Sequence, residues 1–332
     1  MQQKIIFPKK LFPGDEIRII SPARSMHIIP SSVKSLAIKR LQSLGLKISF
    51  SKHCEEVDLF DSSTIKSRLE DLHEAFFDSK VKGILTTIGG YNSIHLLKDI
   101  NYSLIQKNPK ILCGYSDITT LQNAIFAKTG LITFSGPHFS TFGCLKGIDY
   151  MTQYFQKCLF SNQIFEVTPS SSWSDDEWYL DQKNRNFIQN PGLTVIQPGV
   201  AEGFIIGGNL DSLTILQGTD YMPSLKNKIL FLEDNYPMTA EIFDRHLHSL
   251  ILQKDFHFVK GIVIGRFQKE SKISIESLKA IILSKKELNN IPIIAGADFG
   301  HTMPLITFPI GGTAKIISSS STCKVKILSF AQ

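Results

Sequence analysis

The chain has 332 residues, 42% apolar and 20% charged, which is ordinary for a globular protein and enough for a sizeable core shared by two domains. Its 36 Lys and Arg against 30 Asp and Glu give a formal charge of +6 with no dense basic run, which argues against nucleic-acid binding and leaves a modest pull on an acidic substrate. Five cysteines (Cys54, Cys113, Cys144, Cys158, Cys323) without C-x-x-C spacing argue against a disulfide framework or zinc knuckle; with no spanning apolar stretch and no h-region in Met1 to Pro13, a cytoplasmic protein away from membranes is expected.

In chain order, Glu16 to Ser21 reads as a strand ending at Pro22, Ser32 to Leu44 as an amphipathic helix stopped by Gly45, and Leu46 to Phe50 as a strand. Ser63 to Phe77 is a capped helix with Ile65, Leu69, Leu72 and Phe76 on one face. Gly83 to Thr87 (strand), Asn92 to Leu97 (helix), Lys110 to Cys113 (strand), Ile118 to Lys128 (helix), Leu131 to Phe134 (strand) and Tyr150 to Phe160 (helix) follow. This alternation predicts a parallel sheet with helices on both faces. Between about Phe165 and Pro198 the chain turns polar and loses its period, and Ser170 to Trp178 holds both tryptophans. A connector of this length is functional or disordered, and its two indoles argue against disorder. The second half resumes with strands at Glu202 to Ile206, Lys228 to Leu232, Gly261 to Gly265 and Pro292 to Ala295. Helices are expected at Asn209 to Gln217, Thr239 to Leu252 and Ser274 to Leu283, and short strands at Ile306 to Pro309, Thr313 to Ile317 and Lys324 to Leu328. The pattern divides the chain into an N-terminal α/β domain (1–165), a connector (166–200) and a C-terminal domain (201–332).

Three segments end apolar runs with chemically useful groups, at the strand ends where open α/β sheets place their sites. Ser116, in Gly114-Tyr115-Ser116-Asp117, stands on a strand-to-helix turn like a nucleophile elbow, although Ile118 replaces the second glycine of G-x-S-x-G; taken alone, the residue reads better as a helix N-cap. The Asp117 amide would face an oxyanion, and the Gly89-Gly90 turn offers a second donor or is simply tight. Glu233 follows Ile229 to Leu232 and needs a partner if buried: a histidine, an ion pair or a helix terminus, roles Asp234 fills as well. His301 lies in a glycine-bracketed loop after Ile293 to Ala295, with His138 as the rival base. Serine, carboxylate and histidine are the parts of acyl-transfer chemistry, which needs no metal or organic cofactor. His246 and His248 fall on different faces of one helix, and no metal-ligand spacing is convincing.

Gly89-Gly90-Tyr91, Gly114 to Asp117, Gly207-Gly208-Asn209-Leu210, Phe231 to Asp234 and Asp298 to Thr302 resemble, in order and over nearly the whole chain, the LD-carboxypeptidase family of serine peptidases. Leu11 to Asp15 and Pro309 to Gly312 agree with it. The resemblance implies Ser116 as nucleophile, His301 as general base, Glu233 as its orienter, and the amides of Gly90 and Asp117 as oxyanion hole. It implies a flavodoxin-like or amidotransferase-like N-terminal domain, a swivelling, barrel-like β/α C-terminal domain, a site between them and a homodimer. Ile88 stands where the murein-trimming branch has arginine; Thr87 to Ser93 and Ser135 to Ser140 look closer to the microcin C self-immunity branch. That branch cleaves the amide joining a peptide's terminal aspartate to a nucleotide-like group. An indole of Trp173 or Trp178 would then stack on the base, with Gly89 and Asn209 also at the substrate. Packing of the connector, and capping of a helix by Asn209, account for these residues without a ligand. Removal of D-alanine from murein tetrapeptides, and non-catalytic binding of a peptide or nucleotide, are the alternative readings.

Overall fold

The structure, a computed structural model, describes residues 4–331, so the outermost ends of both expected domains (1–3 and 332) lie outside the described residues. The first half builds β1 (Glu16–Ile20), α1 (Ser31–Ser43), β2 (Lys47–Phe50), α2 (Ile65–Phe77), β3 (Val81–Thr86), α3 (Tyr102–Lys107), β4 (Ile111–Gly114), α4 (Ile118–Thr129), β5 (Thr133–Ser135) and α5 (Ile148–Leu159). The connector contributes β6 (Phe165–Glu166), β7 (Ser172–Trp173), β8 (Ile188–Gln189) and β9 (Thr194–Gln197). The rest is β10 (Gly199–Asn209), α6 (Leu210–Thr214), β11 (Lys228–Glu233), α7 (Ala240–Ile251), β12 (Gly261–Gly265), α8 (Ile275–Leu283), β13 (Ile293–Ala297), β14 (Phe308–Ile310), β15 (Thr313–Ser318) and β16 (Cys323–Ser329).

Two mixed sheets result. The first runs β14-β5-β4-β3-β1-β2, parallel from β5 to β2, with β14 antiparallel at its edge. The second runs β6-β16-β15-β10-β11-β12-β13-β9, with β10 to β13 parallel. Its end strands β6 and β9 do not pair with each other, so the expected barrel-like character gives way to an open sheet. The physical reason is that antiparallel strands from the connector and the C-terminus occupy both flanks of the parallel core.

Three local expectations change. Asn92 to Leu97 shortens to a 3-10 turn at Ser93–Leu96, and Tyr102–Lys107 forms a short helix, capped by Asn101, that its sequence did not announce. The connector, read as aperiodic, supplies an edge strand at each end of the second sheet and the small β7-β8 hairpin. Its strands are two to four residues long, too short for alternation to register.

The halves are locked through α4, the helix after Ser116, which is buried on almost every face. Its polar residues have partners across the boundary. Asn123 donates to Gly207 O (2.8 Å) and accepts from Gly207 N (3.2 Å), Thr119 Oγ1 accepts from Asn209 N (3.0 Å), and Thr120 Oγ1 donates to Ser212 O (2.9 Å). Such pairs relieve the cost of burying the groups and fix the register of one sheet on the other. Among the described residues no helix is long and apolar enough to cross a membrane.

Candidate active site

β4 is fully buried and stops at Gly114; α4 begins at Ile118. The reversal between them is taken at Ser116, whose φ of 61° lies in the left-handed region that non-glycine residues seldom enter. Thr119 N donates to Ser116 O (2.9 Å) and Ile118 N to Tyr115 O (3.2 Å), which closes the turn. Ser116 is therefore not the N-cap of α4; that position belongs to Asp117, whose side chain instead accepts from Ser93 N (3.0 Å). The consequence is a hydroxyl held out from the sheet end.

Glu233 ends β11 and is 2% exposed; His301 lies in the loop after β13. His301 Nε2 is 3.0 Å from Ser116 Oγ, and His301 Nδ1 is 2.9 Å from Glu233 Oε2. Three side chains separated by up to 185 positions thus form one hydrogen-bonded line. Glycine makes the approach possible at Gly300 (φ +107°), where an added Cβ would stand 2.4 Å from Glu233 Oε2. Burial alone lowers the affinity of His301 for a proton, but the charge and hydrogen bond of Glu233, with Asp234 behind it, outweigh burial and raise its pKa. Asp234 is pushed up to about 7 by burial and then by Glu233, against the N–H groups of Asn235 and Asp211 that favour its charged form.

His138 enters the same cluster without touching the hydroxyl. Its Nδ1 is 2.7 Å from Thr86 Oγ1, its ring lies 4.4 Å from that of Tyr115, and its Nε2 is buried with no partner. Burial, and then the neighbouring His301, hold its pKa down at about 3, so it stays neutral. Gly89 faces the serine: a Cβ there would meet Ser116 Cβ at 2.9 Å and Oγ at 3.0 Å. Gly90 packs on Ala23 and Arg24, and neither the Gly90 nor the Asp117 N–H is engaged by a backbone acceptor among the described residues. Gly89→Ala is accordingly expected to lower kcat roughly 100-fold by displacing the hydroxyl, with an unchanged melting temperature, as a substrate assay and a thermal melt would read. Parent-like turnover would show that the contact has no consequence.

The remaining residues singled out in the sequence lie elsewhere or are occupied. Asn209 caps α6, accepting from Ser212 N (3.0 Å), and donates to Asp234 Oδ1 (3.0 Å). Trp173 is 8% exposed, with the Arg266 guanidinium 4.9 Å from its ring centroid, so its ring already has a packing partner. Trp178 is half-buried, edge-on to Tyr179 at 6.1 Å. Thr119, Thr120, Asn123 and Arg266 are buried polar residues, and Asn190 a partly buried one, whose contacts sequence reading missed; for the three on α4, the run of polar residues in an otherwise apolar helix is the signal. Among the described residues no cluster of His, Cys, Asp and Glu suits a metal ion.

The arrangement of hydroxyl, imidazole and buried carboxylate has the parts that acyl transfer requires. Comparison with known proteins gives the family. A family model for the LD-carboxypeptidase N-terminal domain matches residues 17–136, and one for the C-terminal domain matches 202–316. The chain is 54% identical to YocD of Bacillus subtilis (strain 168) over 97% of its own length and 99% of that protein's. The crystal structure of an MccF-like protein from Bacillus anthracis strain Ames superposes with a TM-score of 0.96 at 57% identity, covering 98% of this chain and 99% of that one. The microcin C7 self-immunity protein MccF of Escherichia coli is 33% identical over 94% of this chain and 93% of its own. An MccF structure in complex with aspartyl sulfamoyl adenosine matches with a TM-score of 0.89 at 30% identity, over 98% of this chain and 100% of that one. With both halves matched, the chain belongs to the LD-carboxypeptidase family and is a serine carboxypeptidase.

Proposed function

We propose that the protein hydrolyses the amide between an aminoacyl carboxyl group and a nucleotide-like moiety, using Ser116, His301 and Glu233 as its triad. The continuous line from Ser116 Oγ through both ring nitrogens of His301 to Glu233 carries the reading. Ser116 Oγ attacks the scissile carbonyl while His301 Nε2 takes its proton. The tetrahedral oxyanion is met by the amides of Gly90 and Asp117, and the proton passes to the leaving nitrogen as the C–N bond breaks. Water, deprotonated by the same imidazole, then cleaves the acyl ester and restores the hydroxyl. Glu233 fixes the tautomer with Nδ1 protonated and stabilises the imidazolium. The site calls for no metal or organic cofactor in these steps.

The substrate class is supported by the similarity to MccF, whose structures include complexes with aspartyl sulfamoyl adenosine and glutamyl sulfamoyl guanosine. Trp178, half-buried on the connector, is the indole proposed to stack on the base, since Trp173 is packed on Arg266. A second reading, removal of a terminal amino acid from murein tetrapeptides, is favoured by 25% identity over 90% of the chain to the murein tetrapeptide carboxypeptidase of Pseudomonas aeruginosa. Incubation with an aminoacyl sulfamoyl adenosine and, separately, a murein tetrapeptide is expected to release free amino acid from the first far faster. D-alanine release with the nucleotide analogue left intact would reverse the assignment. Trp178→Ala is expected to raise KM for the nucleotide analogue about tenfold with kcat little changed, matching ~1–3 kcal/mol for one stacked base.

A further inference from the structure

The histidine loop is held at both ends by the connector that bears the tryptophans. Three residues before His301, the Asp298 carboxylate is 1% exposed and surrounded by donors: Ser170 N at 2.7 Å, Asn190 Nδ2 at 3.0 and 3.1 Å, and Arg266 Nη2 at 3.2 Å. Arg266 Nη2 also donates to Asn190 Oδ1 (2.6 Å) and Gly296 O (3.0 Å). The Asp298 carbonyl accepts from Ile306 N (2.7 Å). Two residues after His301, Met303 and Ser174 exchange both backbone hydrogen bonds at 2.8 Å. The imidazole is therefore slung between two anchor points, Asp298 and Met303. Ser170, Ser174 and Asn190, which hold them, all belong to the connector. Between the anchors Gly300 has φ +107°, so the segment itself has little stiffness to hold a ring in place.

We infer that Asp298 is a positioning residue, acting with Asn190 and Arg266 to set the His301 imidazole on Ser116 and to tie that placement to the connector. The carboxylate touches neither the serine nor the imidazole directly; its effect passes through the backbone of Phe299 and Gly300. A carboxylate is suited to the task because it accepts from the N–H groups of Ser170, Asn190 and Arg266, with the Tyr150 hydroxyl beside them. In Asp298→Asn one oxygen becomes an NH2 group that faces donors, and the anchor loosens without a change of shape.

This inference rests on the triad reading, and the test separates the two. The full chain and its Asp298→Asn, Asn190→Ala and Ser116→Ala variants are treated with a fluorophosphonate, which reports activation of the serine without needing the natural substrate. The end-point label counts reactive sites, and the time course gives the rate per site. For Asp298→Asn and Asn190→Ala we expect parent-like end points with rates per site and kcat lower by about tenfold or more, and KM within twofold. A purely structural role would instead reduce the end point and leave the rate per site at the parent value, which would overturn the inference. Asn190→Ala keeps the test decisive if Asp298→Asn fails to fold, because Asn190 lies at a partly exposed position. Asp298→Glu, which keeps the charge, is expected to recover part of the rate. Labelling of Ser116→Ala at the parent rate would remove the triad reading itself. An unlabelled Ser116→Ala beside parent-like rates in the other two variants would remove only the role of Asp298.

Discussion

Ser116→Ala is expected to lower kcat by roughly 10⁴- to 10⁶-fold while the affinity for an aminoacyl sulfamoyl adenosine, measured by calorimetry, stays within a few-fold. The lost oxygen is the atom that would carry the acyl group, so only attack by water, assisted by the oxyanion donors, remains. The fold should be indifferent to the change. Among the described residues the one hydrogen bond of the hydroxyl runs to His301 Nε2, and alanine meets the same left-handed backbone as serine. His301→Ala should be nearly as damaging, and the double variant no worse than either single one, because the two groups act as a unit. An alanine variant that turns over within tenfold of the parent would refute covalent catalysis at this position.

How much of this was legible beforehand depends on how local the cause is. The elbow could be read because its determinants are contiguous: Ile111 to Gly114 is apolar and buried, and the helix begins at Ile118 with no breaker between. That Glu233 and His301 follow apolar strands was equally visible: Glu233 ends β11 and His301 lies in the loop after β13, the two strands that flank β12 in the parallel part of the second sheet. Residue types alone did not separate His301 from His138; both enter the cluster, and the difference is whether an imidazole nitrogen reaches Oγ or the Thr86 hydroxyl. The open second sheet was hidden because it closes its flanks with two- and four-residue strands from a polar connector, below the length at which alternation is a signal. Trp173 shows another limit. Its aromatic character suggested a platform for a base, yet the guanidinium of Arg266, from a distant part of the sequence, occupies its face. Long-range pairings of this kind leave no trace in a single sequence.

Glu233→Gln should lower kcat about 10⁴-fold and move the acidic limb of the pH profile. Glutamine fits the space, since Gly265 and Gly300 press against the side chain of Glu233 and leave room for nothing larger. Its amide, however, can donate to Nδ1 and so favour the imidazole tautomer that carries its proton on Nε2, facing Ser116, where a base is needed. The direction of the pH effect follows from the charges. His301 must be neutral to accept the serine proton, so activity rises with pH through its pKa, which Glu233 holds above the ordinary histidine value. Removing that charge leaves burial to dominate, and the limb moves to lower pH even as the plateau falls. Asp234 opposes this only in part: freed from a like charge beside it, its own carboxyl ionises more readily, but it lies one residue further along and is held by Asn209 and the Asp211 amide rather than by the imidazole. A variant with a depressed plateau and an unmoved limb would mean that the carboxylate orients the ring without setting its protonation. A variant with parent-like kcat would mean that the 2.9 Å contact between Glu233 and His301 is an ion pair of the fold and not a part of the chemistry.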